Sequence, residues 1–280
     1  MAGMSDRPLL IIDGDNLAHR AYHSTPASVK GNEGRPLNAV VGFFGMVSNL
    51  WTKEQPRGVF VAWDTLGVPT YRHELWPEYQ TGRVFDSEIV EQLAVLPDLC
   101  RSFGFGVGKA AGYEADDLMA AAVRVEAGPC LLVTSDKDSY QLVTDEVMVL
   151  NPRKGVREMD RIGPEQVVEK MGVLPEQIPD YKALAGDSSD RIPGARGIGP
   201  KSAASLLLKH GNLEGVLAAV NRGEEVAQIR AFYEIVQMRP DVEVTVPQGA
   251  PDWLAGAEAV RAIGAGALAD RLAKLAGRLL

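Results

Sequence analysis

The sequence predicts an α/β protein in which helices flank a mostly parallel central sheet, with a smaller helical part after it. Short apolar runs alternate with amphipathic helical patterns up to about residue 163, and this alternation favours a parallel sheet with right-handed crossovers. Beyond that point only helical patterns continue. Aspartates follow several of the predicted strands, which is where such sheets bind their ligands.

Composition limits the classes of protein to which the chain can belong. Its 280 residues, 46% of them hydrophobic, are enough for one large domain with a smaller module. No apolar run is long enough to predict a signal peptide or a membrane span. Cys100 and Cys130 lack metal-ligand spacing, so we expect reduced thiols in a cytoplasmic protein.

The net charge of −8 would ordinarily argue against a nucleic-acid partner. Two considerations weaken that argument. Acids that hold metal ions have their charge offset, and the charge is unevenly distributed, because residues 191–210 contain no acid. The basic residues of that stretch are Arg191, Arg196, Lys201 and Lys209.

The first half of the chain is predicted to begin with a disordered leader over residues 1–7. A buried strand over 9–12 ends at Asp13 and turns into a helix that reaches about residue 22. A loop rich in Pro, Gly, Ser and Asn follows, and then a helix over 38–53. The next strand, 58–63, has Asp64 at its carboxyl end.

Residues 65–86, here called the arch segment, have two prolines and a weak apolar stripe, and this pattern predicts an exposed lid or arch. Arg72 and Arg83 are suited to grip a phosphate. The aromatic residues of the segment are suited to stack on unpaired bases. A lid with ordinary surface aromatics would give the same pattern equally well. The aromatic residues are Tyr71, Trp76 and Tyr79.

In residues 87–280, the spacing of apolar residues and the positions of prolines predict the helices and strands. Helices are predicted over 87–103 and up to 126, strands near 105–107, 130–134 and 147–150, and a polar hairpin up to 161. Further helices over 164–171, 175–185, up to 209 and within 213–238 form a helical part, two of them with Pro in the first turn. A possible strand over 242–246 and a helix rich in Ala and Leu end the chain. We therefore expect domains at 1–163, 164–240 and 241–280, the last packing on the core.

Glu114, Asp116 and Asp117 lie within four residues, just ahead of an apolar helical run. Capping of the helix by acids accounts for one or two of them, since acids are favoured at the positive end of a helix dipole. Further carboxylates lie near the ends of other predicted elements. They are Asp13, Asp64, Asp136, Asp138, Asp187 and Asp190.

Taken together, these acids predict a site for divalent cations. Oxygen ligands without His or Cys suit hard cations, Mg²⁺ or in its place Mn²⁺. Two such ions roughly 4 Å apart can activate a water and stabilise the leaving oxygen in phosphodiester hydrolysis. A single Asp at a strand end is more often a turn residue, but the combined set favours a metal site.

Residues 194–201 carry a second signal. The glycines of Gly197-Ile198-Gly199 allow the backbone to approach a ligand, and the following helix presents free N–H groups to a phosphate. Lys201 adds positive charge, and nothing here reads a base edge. The pattern predicts sequence-independent contact with a nucleic-acid backbone. A connection between helices with incidental glycines is the alternative.

With these three features in place, the sequence resembles the 5′ nuclease superfamily, most closely the 5′–3′ exonuclease domain of bacterial DNA polymerase I and its free-standing relatives. Flap endonucleases are more distantly similar. The matching stretches appear in family order between about residues 8 and 220. They are Ile12-Asp13-Gly14, Trp63-Asp64, residues 71–74, 112–117, 134–142 and 186–201.

The resemblance implies a PIN-like nuclease core with a helix–three-turn–helix subdomain, and a two-metal enzyme that cuts DNA at 5′ flaps or single/double-strand junctions. Arg72 and Arg83 would join the metal-holding acids in catalysis, and K⁺ would bind at the Gly197-Ile198-Gly199 hairpin. The implied metal ligands are Asp13, Asp64, Glu114, Asp116, Asp117, Asp136, Asp138, Asp187 and Asp190, of which Asp13, Asp64 and Asp116 hold the catalytic ions. The implied DNA contacts are Arg20, Tyr79, Arg83, Arg196, Gly197, Ile198, Gly199 and Lys201.

The resemblance also implies a cytoplasmic protein of bacterial type that acts at the nucleoid, without a membrane or a small-molecule cofactor. We expect a free-standing protein, since Met1 begins the chain and no polymerase sequence follows Leu280.

Two positions depart from the family pattern: Gln80 stands where Lys is usual, and His19 where Tyr is common. The rival predictions are a catalytically weakened DNA-junction binder and an RNA-directed nuclease of the same fold.

Overall fold

The structure is a computed structural model that describes residues 7–81, 86–126, 128–154 and 156–277. The predicted leader lies outside the described residues except for Arg7, and so does Arg83. The remaining predicted site residues all lie within the described part.

Within the described residues, six strands form one sheet in the order β3-β2-β1-β4-β5-β6. Neighbouring strands run parallel except for β5 and β6, which pair antiparallel as the predicted hairpin. The prediction of a mostly parallel sheet is confirmed. The strands are β1 (Leu9–Asp13), β2 (Gly58–Trp63), β3 (Gly106–Lys109), β4 (Cys130–Val133), β5 (Val147–Lys154) and β6 (Glu158–Ile162).

The central strand β1 determines where the acids meet. All five of its residues are buried, as expected for a parallel strand that is covered on both faces. Ile12 pairs with Val61 of β2 and with Val133 of β4, so the three strands end at the same level. The residues that follow them therefore lie side by side at one edge of the sheet.

Twelve α-helices, counted over the described residues, surround the sheet and form the helical part. They are α1 (Gly14–Ser24), α2 (Asn38–Glu54), α3 (Tyr71–Leu75), α4 (Ser87–Ser102), α5 (Ala115–Glu126), α6 (Pro164–Met171), α7 (Ile178–Ala185), α8 (Pro200–His210), α9 (Leu213–Ala219), α10 (Glu225–Val236), α11 (Trp253–Ala262) and α12 (Gly266–Ala276). Short 3₁₀ turns occur at Asn32–Gly34, Asp138–Leu142 and Pro175–Gln177. The helix expected over 175–185 is thus divided between a 3₁₀ turn and α7.

Each face of the sheet has its own apolar core. One core joins Ile11 and Phe60 of the sheet to Leu118 of α5 and continues into the helical part through Leu184 and Phe232. The helical part consequently shares a core with the α/β part, because α7 and α10 bury their apolar faces against the region around α5. The sequence pattern changes near residue 164, but the packing is continuous across that position.

The other core holds the C-terminal helices, which pack on the α2 and α4 side of the sheet. Trp253 is 2% exposed, and its ring centroid lies 5.8 Å from that of Trp51 and 5.7 Å from that of Phe103. The strand expected over 242–246 is not formed: Val242 and Val246 are buried, but no neighbouring strand pairs with this segment. The alternating valines therefore signalled alternating burial and not a ladder of backbone hydrogen bonds.

Among the described residues, no helix combines the length and the apolarity needed to cross a membrane.

Replacing Trp253 by Ala tests how the C-terminal helices are held. Because the indole is buried among three aromatic rings, we expect Trp253→Ala to lower the free energy of unfolding by about 3–5 kcal/mol. Leu254, its 51% exposed neighbour on α11, is the matched control, and Leu254→Ala should change stability by no more than about 0.5 kcal/mol. Urea unfolding measures both. Equal effects of the two changes would contradict this packing.

Candidate active site

A cavity of about 180 Å³ opens at the carboxyl edge of the sheet, beside β1, β2 and β4. Six carboxylates line it, together with two amide side chains and a His side chain. Among the described residues, those that line this cavity include no Lys or Arg. The acids are Asp13, Asp15, Asp64, Glu114, Asp116 and Asp136, and Asn16, His19 and Gln80 are the other polar residues.

Asp13 is the last residue of β1 and the N-cap of α1. Its Oδ1 accepts a hydrogen bond of 3.0 Å from the Asn16 N–H. Its Oδ2 accepts one of 2.9 Å from the Thr134 hydroxyl, which lies just beyond β4. The carboxylate is only 7% exposed, so the strand end and the helix start hold it at the cavity wall.

Asp64 follows β2 and connects α1 to α5. Its Oδ1 accepts from the Ala115 N–H at 2.7 Å, at the start of α5. Its own N–H donates to Asp15 Oδ2 at 2.8 Å. Sequence reasoning missed Asp15 as a site residue. Its signal was the Asp-Gly-Asp spacing after β1, which places a second acid in the first turn of α1.

Glu114 and Asp116 lie at the start of α5. Glu114 Oε2 accepts from the Tyr79 hydroxyl at 3.0 Å, and its Oε1 accepts from the Thr70 hydroxyl at 3.3 Å. Asp116 lines the cavity directly. The arch segment therefore supplies the donors that hold Glu114 at the cavity.

Asp136 closes the side of the cavity near β4. Its N–H donates to the Thr134 hydroxyl at 3.0 Å, and its Oδ1 accepts from the Asp138 N–H at 2.9 Å. Asn16, also missed from the sequence, donates to the Ser135 hydroxyl at 2.9 Å. These bonds join α1 to the turn after β4.

The protonation of these acids follows from burial first and from their mutual repulsion second. Burial, with the nearby Asp64 and Asp136 charges, raises the pKa of Asp13 to about 7. Burial likewise raises the pKa of Glu114 to about 7, against the opposing effect of the Arg72 guanidinium. Burial and neighbouring acids also hold the pKa values of Asp15 and Asp116 well above the usual range.

The chemistry of these donors fits hard divalent cations. The cavity gathers carboxylate oxygens, and its described lining residues include no lysine or arginine. Arg72 lies 3.8 Å from Glu114 Oε2, but its guanidinium is bound more closely to Asp117. Within the described part of the chain, no three His, Cys, Asp or Glu side chains already converge on one point at ligand distance. The acids surround the cavity, and like-charge repulsion is the physical reason for them to stay apart without a cation.

Asp117, predicted as a metal ligand, is fully buried and faces away from the cavity. The Arg72 guanidinium holds it with two bonds, of 2.7 Å to Oδ2 and 2.9 Å to Oδ1. The Arg239 and Glu114 N–H groups also donate to it. With its oxygens engaged by these donors, Asp117 is a structural acid, and its bond from Glu114 is a helix-capping contact. In this structure those donors occupy its oxygens, and its metal role stays a prediction.

Arg72 and Tyr79, both predicted to face the substrate, are buried instead. Arg72 is 3% exposed, and its Nε donates to the Ile235 carbonyl while both terminal nitrogens bind Asp117. Tyr79 is 4% exposed and lies in the apolar core. An arginine with these partners cannot grip a phosphate, and a buried ring cannot stack on bases. Both corrections arise because the arch segment packs on α5 and α10.

Hydrogen bonds join the arch segment to the loop over residues 186–201. Gln80 contributes two, from its N–H to the Asp190 carbonyl at 3.4 Å and from Nε2 to Asp190 Oδ1 at 2.9 Å. Trp76 Nε1 donates to the Arg191 carbonyl, and Arg191 donates to the Thr81 hydroxyl. Gln80 and Arg191 both have positive φ, of 48° and 58°. Asp190 is thus bound to the arch segment in this structure.

Asp138 and Asp187 form a second acidic group with a lysine between them. Lys182 Nζ lies 2.6 Å from Asp187 Oδ2 and also contacts Asp138 Oδ1. Burial alone would raise the pKa of Asp187, but Lys182 and Ser189 outweigh it and hold that pKa below its usual value. Lys182 was not singled out from the sequence, although its position five residues before Asp187 was visible.

Residues 186–201 form a compact loop. Asp187 and Ile192 exchange two backbone hydrogen bonds of 2.8 Å. Gly186 and Gly194 have positive φ and lie so close together that a Cβ on Gly194 would stand 2.4 Å from the Gly186 nitrogen. This close approach explains the two glycines and fixes the start of the loop against α7.

The end of the loop is exposed, as expected for a surface that meets a ligand. Gly197 and Gly199 are exposed, and a Cβ on either would meet nothing within 4 Å. Lys201 and Arg196 are exposed as well, whereas Ile198 is 7% exposed and packs in the core. Ile198 can therefore offer only its backbone to a nucleic acid.

Arg20 lies on α1 beside the cavity, together with two histidines. It is half-buried and lines a neighbouring cavity of about 510 Å³ with His19 and His23. Among the described residues that line this neighbouring cavity, Arg20 carries a permanent positive charge.

Two family models match the chain. The model described as "5′-3′ exonuclease, N-terminal resolvase-like domain" matches residues 8–172. The model described as "5′-3′ exonuclease, C-terminal SAM fold" matches residues 173–250.

The chain is also similar to curated DNA polymerases. DNA polymerase I of Mycobacterium tuberculosis is 40% identical over 230 residues, which are 80% of this chain and 25% of that protein. The thermostable DNA polymerase I of Thermus thermophilus is 35% identical over 257 residues, or 86% of this chain and 30% of that protein. The chain spans a quarter to a third of the length of these relatives.

Solved structures of nucleases share the fold. The T5 5′-exonuclease with bound zinc aligns with a TM-score of 0.64 and 23% identity, covering 96% of this chain and 97% of that one. Flap endonuclease-1 from Methanococcus jannaschii aligns with a TM-score of 0.64 and 16% identity, covering 100% of this chain and 96% of that one. The likeness confirms the α/β core with its helical part.

Stability should depend on pH through Glu114. Below about pH 4.5 this carboxyl is protonated in the folded and unfolded states alike, whereas between 4.5 and about 7 only the unfolded state releases the proton. In EDTA, Glu114→Gln should therefore gain stability relative to the unchanged protein as the pH rises through this window, by about 2–3 kcal/mol. Urea unfolding at several pH values measures the difference.

Saturating Mg²⁺ should reduce that gain, because a cation binds the deprotonated carboxylate of the unchanged protein. The exposed Glu91→Gln is the control for loss of one charge. The stability difference between Glu114→Gln and the unchanged protein should change with pH. A constant difference would contradict the raised pKa of Glu114.

The buried pair of Arg72 and Asp117 gives a second prediction. Arg72→Met leaves an uncompensated carboxylate without solvent access, so we expect a loss of about 3–5 kcal/mol in the free energy of unfolding. The double variant Arg72→Met/Asp117→Asn should lose less than the sum of its single changes. Arg101→Met, in the exposed pair with Asp98, should cost at most about 1 kcal/mol. Additive losses at Arg72 and Asp117 would count against the pairing.

Proposed function

The chain belongs to the 5′–3′ exonuclease family, and from this premise we propose that it hydrolyses DNA phosphodiester bonds near a 5′ end, at flaps and single/double-strand junctions. One observation supports this most directly. Six carboxylates line a single cavity at the carboxyl edge of the sheet, and its described lining residues include no lysine or arginine. Such a site suits cations and, through them, phosphates.

The proposed cofactor is Mg²⁺, with Mn²⁺ as a substitute and two ions in all. Asp13, Asp64 and Asp116 would hold the first ion, and the cavity adds Asp15 and Glu114 to this set. Asp136 and Asp138 would hold the second ion, with Asp187 and Asp190 completing its shell. Ions bound there supply positive charge to the transferring phosphate and lower the pKa of water. The protein supports this chemistry by fixing Asp13 and Asp64 to the backbone at the starts of α1 and α5.

The proposed DNA contact lies at the start of α8. Its first N–H groups, the exposed Gly197 and Gly199 and the positive charges of Arg196 and Lys201 suit a phosphate backbone. Such contacts read no base, which supports binding without sequence preference. The carbonyls of this hairpin are the proposed K⁺ ligands.

Other predicted contacts complete the proposal. Arg20 lies on α1 and lines the neighbouring cavity, where it is a proposed DNA contact. Arg83, which is outside the described residues, stays a predicted phosphate contact. The bacterial polymerases among the relatives support DNA as the substrate and the cytoplasm, at the nucleoid, as the place of action.

Cleavage of a 5′-labelled flap substrate tests the function. With Mg²⁺ we expect cleavage at the junction, and Asp116→Asn should lower the rate at least about 100-fold because it removes a cavity carboxylate. Asp98→Asn, an exposed acid on α4, is the control for loss of one negative charge and should cleave at the unchanged rate.

Three outcomes would contradict the proposal. An unchanged protein that binds the flap tightly without metal and cuts nothing would favour the junction-binding alternative. Undiminished cleavage by Asp116→Asn would place the chemistry elsewhere. Faster cleavage of the matched RNA than of the DNA would reassign the substrate.

A further inference from the structure

Lys182 occupies the space between two acids that the sequence assigned to a metal ion. Its ammonium lies 2.6 Å from Asp187 Oδ2 and contacts Asp138 Oδ1. The Lys182 side chain is 7% exposed, and the side chains of Asp138 and Asp187 are 12% and 15% exposed. One cationic group therefore binds both carboxylates in a nearly closed space.

The surroundings hold the two acids in place independently of the lysine. Asp187 Oδ1 accepts from the Ser189 N–H at 2.8 Å, and the Asp187 backbone is bridged to Ile192. The Asp138 N–H donates to Asp136 Oδ1 at 2.9 Å. Without a cation between them, two negative charges would face each other in a space with little water, which is costly.

The two acidic groups of the molecule are neutralised differently. The cavity around Asp13 and Asp116 has no lysine or arginine among its described lining residues, whereas the Asp138 and Asp187 pair has Lys182. Asp136 lines both the first cavity and a second one, of about 480 Å³, that also includes Lys182 and Asp187. The two groups are thus adjacent parts of one acidic surface.

We propose that the Lys182 ammonium is a built-in monovalent cation that holds the second divalent-ion position and competes with the second ion for Asp138 and Asp187. This inference rests on the metal dependence of the proposed function. The ion in the first cavity meets no such competitor, so the protein binds one divalent ion more tightly than the other. Filling the second position requires the ammonium to move away.

The second cavity gives a displaced ammonium somewhere to go. It lies beside Lys182 and is lined by Lys137, Tyr181 and the polar Ser188 and Ser189. Lys182 has four methylene groups between its backbone on α7 and its charge, so its head can leave the acids without a change in the helix.

An ion pair that only stabilises the fold would show the same distances. The two roles differ in what they predict for metal binding. A purely structural Lys182 would, on removal, lower stability and leave the affinity for the second ion as it was. A competing Lys182 would, on removal, free two carboxylates for a dication and raise that affinity.

Mn²⁺ binding without DNA, followed by the electron paramagnetic resonance signal of free Mn²⁺, separates these roles. For the unchanged protein we expect one tight and one weak ion. Lys182→Gln should strengthen the weak site at least about tenfold and leave the tight one unchanged, because one unit of competing positive charge is removed. Lys182→Arg keeps the charge and should keep the weak site weak.

Two further variants control for charge and for folding. Lys170→Gln removes the same charge from the exposed pair with Asp160 and should leave both affinities unchanged. Lys182→Gln/Asp187→Asn restores the charge balance of the unchanged protein, so its weak site should stay within about threefold of the original. This double variant keeps a measurable outcome if Lys182→Gln alone does not fold.

An equal weak-site affinity in Lys182→Gln and the unchanged protein would overturn the inference, as would a double variant that binds the second ion tenfold more tightly. Asp116→Asn, which should lose the tight ion, shows whether the first cavity binds metal at all. Absence of any Mn²⁺ binding in every variant would overturn the inference together with the proposed metal dependence. Two ions of unchanged affinity would overturn the inference alone.

Discussion

The arrangement of the molecule depends on one constraint, namely that many carboxylates are brought together at one edge of a parallel sheet where water is scarce. Because β1, β2 and β4 run parallel and end at the same level, Asp13, Asp64 and Asp136 lie side by side. Burial raises the free energy of each charged carboxylate, and proximity raises it further. Neighbouring side chains compensate this cost for some of the carboxylates, and a bound cation would compensate it for the others.

The protein deals with these charges in three ways. Asp117 receives the buried guanidinium of Arg72 and becomes part of the framework. Asp138 and Asp187 share the ammonium of Lys182, which we propose gives way to a divalent ion. The acids that line the cavity have no lysine or arginine among its described lining residues, and a bound cation would compensate their charge. Whether an acid is paired with a cationic side chain therefore depends on its neighbours and not on its residue type.

The packing of the arch segment has the same origin. Arg72 compensates Asp117, while Tyr79 donates to Glu114 and is itself bound by Gln80, which also binds Asp190. A chain of hydrogen bonds thereby runs from the cavity to the loop that precedes α8. This connection places the candidate cation site and the candidate phosphate site on parts of the molecule that are joined to each other.

The sequence by itself determined the sheet, the acids at its edge and the exposed glycines before α8, because strand period, strand-end aspartates and Pro-Gly punctuation are local signals. Its family pattern placed Asp13, Asp64 and Asp116 at one site, where the structure also brings them together. Only the tertiary structure decided that Arg72 and Tyr79 are buried and that Lys182 stands between two acids. Those outcomes depend on contacts between residues as much as 163 positions apart, and no local pattern specifies which charge will meet which partner.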